Sequence, residues 1–436
     1  VSSNISYAPV NASKDYAGGI VGHHSENAAV SSNINYGSTE AGGSYAGGIA
    51  GAIRGTTAAT SNTNNGDVTA TGNYAGGIAG SASNRDADTG TAGAAITTSV
   101  NNGAVSGGDY VGGIAGLYRS TSALHTATNN GAVSGASYVG GIAGAAYGPF
   151  GNNSLATNVK NTAAIKGTGN YIGGLGGYLK SVAASVRTVS YGYNSASVNG
   201  SEASEYVGGI MGRGDGLVEY TYAAGESGAV TVTGGTNTGS LAGYIDKSIA
   251  VNYSYTYANV NSGDSEGLVG GVKSGADIAY TNSYYLTEVG NEDDTKAKTA
   301  DSFTSGEVVW LLGGGDGTRN TTWSQEKGRL PVLLPNKPVF KASIVKGAAP
   351  EGSSVTITDG SFGMPGETDG NGRQWIYVIT GEKPEVTVIT PGIAPDAVYG
   401  ISFISPLEVL KKSSANDGVK TTSVYSVGPI TANYDG

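Results

Sequence analysis

The chain offers few groups able to do chemistry. Its only imidazoles are His23, His24 and His125, which could act as general bases or metal ligands. No His-Glu-x-x-His pattern accompanies them, so the helix-borne zinc site of a metalloprotease is excluded, and they read as solvated turn residues just after short strands. There is no cysteine, which removes disulfides, thiolate metal sites and thiol nucleophiles. Among the carboxylates, Asp15, Asp109 and Glu205 each directly precede a tyrosine that recurs along the chain. That placement would set acids on one wall of a polysaccharide lyase or hydrolase. Ser44, Asn73, Ser137 and Asn170 hold the same place elsewhere, so the acids are not neighbours, and Lys and Arg are too sparse to supply a basic partner. Catalysis is not expected.

Two further motifs could bind. Arg213-Gly214-Asp215 is the triplet read by some integrins, and a glycine-rich turn would expose it, although such triplets arise by chance in a chain with 74 glycines. Asp293 and Asp294, and further on Asp369 and Asn371, offer oxygen ligands of the kind calcium takes. Neither stretch carries the full loop with a closing bidentate glutamate. Both read as solvated turns, and calcium is the single cofactor they would suggest.

What must position these residues is set by composition. The 436 residues are 38% hydrophobic and 13% charged, with a formal net charge of −10. A thick globular core is therefore not expected, nor is the charge-rich route to disorder. Nucleic acid is excluded as a partner, because phosphate binding needs clustered Lys and Arg. No apolar run approaches the ~18 residues that cross a bilayer, so no membrane insertion is expected within the chain. No basic, apolar, small-residue leader opens it, and it starts at Val1, which reads as a trimmed chain.

One phrase recurs: Tyr16-Ala-Gly-Gly-Ile-Val-Gly, again from Tyr45, Tyr74, Tyr110, Tyr138, Tyr171 and Tyr206, with degenerate copies read from Asn237 and Leu268. Successive starts lie 29, 29, 36, 28, 33, 35, 31 and 31 residues apart, so a unit of roughly 30 residues repeats about nine times. A second element, Asn-Asn-Gly-x-Val, begins at Asn64, Asn101 and Asn129. Short apolar runs bounded by Gly and Asn are strands, not helices. Such a unit cannot bury its own apolar face and must stack on its neighbours. The expected fold is all-β: a parallel β-solenoid of about nine coils rising ~4.8 Å each. Paired glycines then mark a thin coil in which backbone approaches closely. The seven phrase tyrosines would stack from coil to coil with hydroxyls at a wet rim.

These units resemble the GLUG-motif repeat of large bacterial surface proteins, adhesins and the non-catalytic regions of immunoglobulin A proteases. The likeness covers about residues 1–290. It implies a secreted or surface-attached bacterial protein with a β-solenoid stalk, and implies no activity.

Residues 291–335 leave the repeat. Asp301 or Ser302 would cap a short helix stopped by Gly313, with Phe303, Trp310 and Leu311 on one face. With Trp323 they read as a cap on the last coil, and similar tails follow GLUG-type repeats. From 336 to 436 proline enrichment and short strands such as Ser354–Ile357 and Gln374–Ile379 suggest a small all-β domain, sandwich-like or immunoglobulin-like.

The functional expectation is a non-enzymatic extracellular protein of the bacterial cell surface. Its stalk would adhere to, or present a surface to, a glycan, a host or matrix protein, or a neighbouring copy of itself. The alternative is a structural subunit of a fibre or surface layer, suggested because Val1–Tyr7 matches the middle of the next unit, Val30–Tyr36, leaving a coil edge open. A polysaccharide lyase or hydrolase ranks third.

Overall fold

The computed structural model describes residues 1–333 except 26–27, 84–92, 152–157, 182–186, 227, 263–266, 287–294, 316–321 and 327, and beyond 338 the backbones of seven strands. Two compact units divide the chain, Val1–Ala297 and Lys298–Gly436.

The first unit is the parallel solenoid. Each coil has four walls, seen in the second repeat as Ala46–Gly47, Ala50–Ile53, Ala59–Thr60 with Thr63–Asn64, and Val68–Ala70. They are called here the glycine wall and the second, third and fourth walls. Every strand pairs in parallel with its counterpart one repeat away, as in Ala17↔Ala46↔Ala75↔Val111↔Val139↔Ile172↔Val207↔Thr238. Eight strands stack in the glycine wall and eight in the second wall.

The ninth coil joins by the bridges Ala242↔Val269 and Ile245↔Val272. Its register differs from the sequence reading: Leu268 accepts from the amides of Leu241 and Ala242, so it lies under Leu241 and not under Asn237. Leu-Val-Gly in that repeat fills the place of Ile-Ala-Gly, and a match of one glycine pair to another could not show this.

The core is thin. One inward column is the apolar residue of the phrase, Ile49, Ile78, Ile114, Ile142, Leu175, Ile210, Leu241 and Leu268, all buried. A second, from the fourth wall, is Val68, Val105, Val133, Ile165, Val198 and Val232. Within each column the apolar residues lie in register one above another, so the stack supplies the burial that a single coil lacks.

Length variation between repeats is concentrated in one place. The segments 84–92, 152–157 and 182–186 all fall between a second-wall strand and a third-wall strand. Insertion there leaves the register of the glycine wall intact.

In the second unit the expected helix is two short ones. Helix α1 spans Ala300–Thr304 and α2 spans Glu307–Leu312, separated by Gly306 at φ 92°. The cap is Thr299, whose hydroxyl accepts from the Ser302 amide, ahead of the Asp301 or Ser302 expected. Because Gly306 breaks the axis, a seven-residue spacing no longer selects one face. Phe303 and Trp310 are buried as expected, but Leu311 is half-exposed and Leu312 takes the inner place. Trp323 is buried too. The stop is as read, with the Gly313 amide donating to Val309. Beyond, a three-stranded antiparallel sheet pairs Val339–Val345 with Gln374–Ile379 and with Gly400–Phe403. A four-stranded one joins Ser354–Ile357, Glu385–Ile389, Val419–Val424 and Leu410–Lys412. Of these, Val339–Val345 and Leu410–Lys412 were not read from the sequence.

Candidate binding surface

Tyrosine opens each phrase at a corner of the coil, and the corner dictates an unusual backbone. Tyr16, Tyr45, Tyr74, Tyr110, Tyr138, Tyr171 and Tyr206 all have φ between 56° and 68°. A bulky residue in the left-handed region costs ~1–2 kcal/mol. Stacking opposes that cost: successive rings lie 4.7, 4.7, 4.9, 4.4, 4.4 and 5.1 Å apart, nearly parallel. Each such pair contributes ~0.5–1.5 kcal/mol. Where the tyrosines end, position 237 is asparagine at φ 54°, a residue that tolerates this conformation. The ladder is half-exposed, as the wet-rim expectation required.

Two of the carboxylates that could have formed a catalytic column, Asp15 and Asp109, are occupied by backbone amides. The Ser44 amide donates to Asp15 Oδ1 at 2.6 Å, Asn73 to Ser44 Oγ at 3.1 Å and Asp109 to Asn73 Oδ1 at 2.9 Å. Ser137 then donates to Asp109 Oδ1 at 3.0 Å, Asn170 to Ser137 Oγ at 3.0 Å and Glu205 to Asn170 Oδ1 at 2.9 Å. From Asp15 to Asn170 each side chain before a tyrosine thus holds the next coil, which explains why Asp, Ser and Asn interchange there: all are short acceptors.

Sequence reasoning missed the matching ladder inside. Asn35, Asn64, Asn101, Asn129, Asn161 and Asn194 are fully buried, and each Nδ2 donates to the next Oδ1 at 3.0, 2.8, 2.8, 2.8 and 2.8 Å. The signal was the first residue of Asn-Asn-Gly, which had read as turn. The second asparagine faces out: Asn102 donates to Asn65 and Asn130 to Asn102, each at 2.8 Å, and the Thr162 hydroxyl continues the row. Tyr7 and Tyr36 head the same outward column, stacked at 5.0 Å.

The integrin-type triplet is not a turn. Arg213 and Gly214 end the second-wall strand Met211–Gly214. The Arg213 Nε donates to Asp246 at 2.8 Å, and its guanidinium lies 5.1–5.8 Å from the rings of Tyr171, Tyr206 and Tyr244. Asp215 is buried, accepts from the Ser181 amide at 2.6 Å and pairs with Lys247 at 3.4 Å. The accessible loop that an integrin reads is not what these residues form.

The histidines also lie in strands and not in turns, within Val21–His24 and His125–Asn129. His24 Nε2 is 2.8 Å from the Ala28 carbonyl, and His125 Nδ1 is 3.0 Å from the Thr126 hydroxyl. Burial, then the charges of Arg54 and His24, push His23 below the ordinary imidazole range. Burial does the same to His125. Among the described residues no three His, Asp or Glu side chains converge on a metal position. Asp293, Asp294, Asp369 and Asn371 lie outside the described residues. Among the described residues no helix is long and apolar enough to cross a membrane.

Burial, reinforced by neighbouring phenols, raises Tyr45, Tyr110 and Tyr138 above the ordinary phenol range. Burial and then the Asp246 carboxylate push Tyr178 to about 12. Deep burial holds Tyr222 and Tyr255 well above it. Raised phenols keep their protons in the fold and lose them on unfolding, so their contribution is whole below about pH 10 and falls as pH climbs toward the folded values. Tyr222 and Tyr255 together should remove ~2–3 kcal/mol per pH unit above about pH 10. Alkaline titration should therefore show phenolate absorbance and loss of the β-type circular dichroism rising together in one cooperative step. Phenolate absorbance saturating at ordinary phenol pH, with the β signal intact, would contradict this.

Compared with family models, curated proteins and solved structures, the chain matches none.

Proposed function

We propose that this chain is a non-enzymatic extracellular protein of a bacterial cell surface, whose solenoid presents a repeated outer surface for adhesion. The observation that carries the reading is how the chemistry-bearing residues are used. Asp15 and Asp109, before the tyrosines, hold backbone amides of adjacent coils, while tyrosine, asparagine and threonine columns face outward once per coil. A surface with one fixed rise favours extended partners held by many weak contacts that add by avidity. The GLUG-like phrase is in keeping with a bacterial surface stalk.

The test is a glycan and matrix-protein array probed with the purified chain, paired with light scattering across concentration. Selective binding by a monodisperse protein is the expected result. Filaments growing with concentration and no array binding would replace adhesion with the role of a fibre or surface-layer subunit. Release of reducing ends or unsaturated sugars from bound polysaccharide would make the protein an enzyme.

A further inference from the structure

The corner between the third and fourth walls carries a chemistry of its own. Asn65-Gly66, Asn102-Gly103 and Asn130-Gly131 each set an asparagine directly before a glycine there. In an unfolded chain such a pair is labile. Glycine has no Cβ to shield its amide nitrogen, which attacks the asparagine Cγ. A C–N bond forms, and Nδ2 leaves as ammonia, taking the glycine amide proton. Water then opens the five-membered succinimide at either carbonyl, giving aspartate or isoaspartate, and the latter adds a carbon to the backbone path.

In the solenoid both partners in this ring closure are held. The Gly131 amide donates to the buried Asn129 Oδ1 at 3.3 Å. A Cβ at Gly66, Gly103 or Gly131 would lie 2.0, 2.0 or 1.9 Å from the carbonyl oxygen of Gly37, Gly66 or Gly103, so these peptides have no room to swing. The outer side chains hold one another. Asn102 is fixed from both sides, its Nδ2 donating to Asn65 Oδ1 and its Oδ1 accepting from Asn130 Nδ2, each at 2.8 Å. Asn130 Oδ1 accepts from the Thr162 hydroxyl at 2.9 Å. Asn65 is the exception. Its Oδ1 is engaged, but its Nδ2, the leaving group, meets no acceptor among the described residues, because the row continues above it as Tyr36, stacked on Tyr7.

We propose that the outer asparagines are deamidation sites gated by the coil: amides while the coils are closed, acids once they open, with Asn65 the first to convert in the folded chain. This holds whatever the solenoid binds. A carboxylate cannot donate to the next Oδ1. An isoaspartate lengthens the link between two walls whose registers are both fixed, so a coil that stays open long enough to react does not close again in register.

The test ages the whole chain at mildly alkaline pH, folded in buffer and unfolded in guanidinium chloride. Each Asn-Gly peptide is then scored by mass spectrometry and by isoaspartyl methyltransferase labelling. The three sites should convert at least ~tenfold more slowly in the folded chain, because reaction waits on local opening. Within the fold Asn65 should lead and Asn102 trail. Asn102→Ala removes both bonds along the row, and should speed Asn65 and Asn130 about threefold in the folded chain while leaving their unfolded rates unchanged. Asn199-Gly200 is the control: it lies outside the row, and the Gly200 amide donates to the Thr233 carbonyl at 2.7 Å. It should be protected in the fold and indifferent to Asn102→Ala. Equal folded and unfolded rates would overturn the gate. So would a lead by Asn102, unchanged rates at Asn65 and Asn130 in the variant, or acceleration of Asn199 along with them, which would mark general loosening.

Discussion

Replacing Gly113 by alanine is expected to break the solenoid in the middle. A Cβ at that position would lie 2.2 Å from Asn129 Cγ and 2.2 Å from the Gly141 carbonyl oxygen. Neither neighbour can retreat. The carbonyl belongs to the next coil's backbone, and the asparagine is fixed from above and below by its ladder. Overpacking of a core commonly costs 1–3 kcal/mol when side chains can shift. Here a backbone atom must move and a buried amide must leave its partners, so a loss of ~4 kcal/mol or more is expected. The effect has a shape as well as a size. Coils touch only their neighbours, so stability is roughly a chain of pairwise terms, and a defect at the fourth phrase should uncouple the coils before it from those after. Thermal melting should broaden or split, and limited proteolysis should cut near the defect first. A single sharp transition within a degree or two of the parent would show that the coil has more room than these distances allow.

The glycine pair is also where sequence reading went furthest. Close approach was expected from glycines placed where a strand would prefer a side chain, and the second glycine of most pairs does face a buried asparagine: Gly48 faces Asn64, Gly77 Asn101 and Gly141 Asn161, while Gly209 meets Ala223 in that column. What the sequence could not show was the partner. Gly48 and Asn64 meet only when the coil closes, and the segment between them varies in length from repeat to repeat. The asparagine therefore read as half of a turn. The eighth coil confirms the pairing by breaking it. Ser240 replaces the second glycine, Thr256 stands in the asparagine column, and their hydroxyls lie 2.8 Å apart. The tyrosine stack was legible because one residue type recurs at one place. The acceptor column before it was not, because Asp, Ser and Asn share oxygen acceptors and little else. Arg213-Gly214-Asp215 was misread for a related reason: a glycine that looks like a turn can be a strand residue pressed against Leu179 O, 2.2 Å from where a Cβ would sit.

Changing Asn129 to leucine, which has the same branching and number of side-chain heavy atoms, should cost almost as much as the glycine change, chiefly through lost bonds. Every valence of this amide is used. Its Nδ2 donates to Asn161 Oδ1 and to the Gly131 carbonyl, both at 2.8 Å. Its Oδ1 accepts from Asn101 Nδ2 at 2.8 Å and from the Gly131 amide at 3.3 Å. Leucine, bulkier than the amide, strands these partners at a position with no exposed surface. Each buried group left without a bond costs ~1–3 kcal/mol, so a total near 3–5 kcal/mol is expected. Asn129→Asp separates the causes. It keeps the shape and both acceptances but sets a carboxylate oxygen against Asn161 Oδ1 and the Gly131 carbonyl, so it should be as damaging at neutral pH. Its damage should lessen on acidification, because the protonated carboxyl regains one donor for Asn161. The same leucine placed at Asn102 in the exposed outer row should cost under ~1 kcal/mol, since water replaces the lost partner there. Chemical denaturation of the three variants at two pH values reads all of this. Equal losses at Asn102 and Asn129 would mean that the inner row does not hold the coils together.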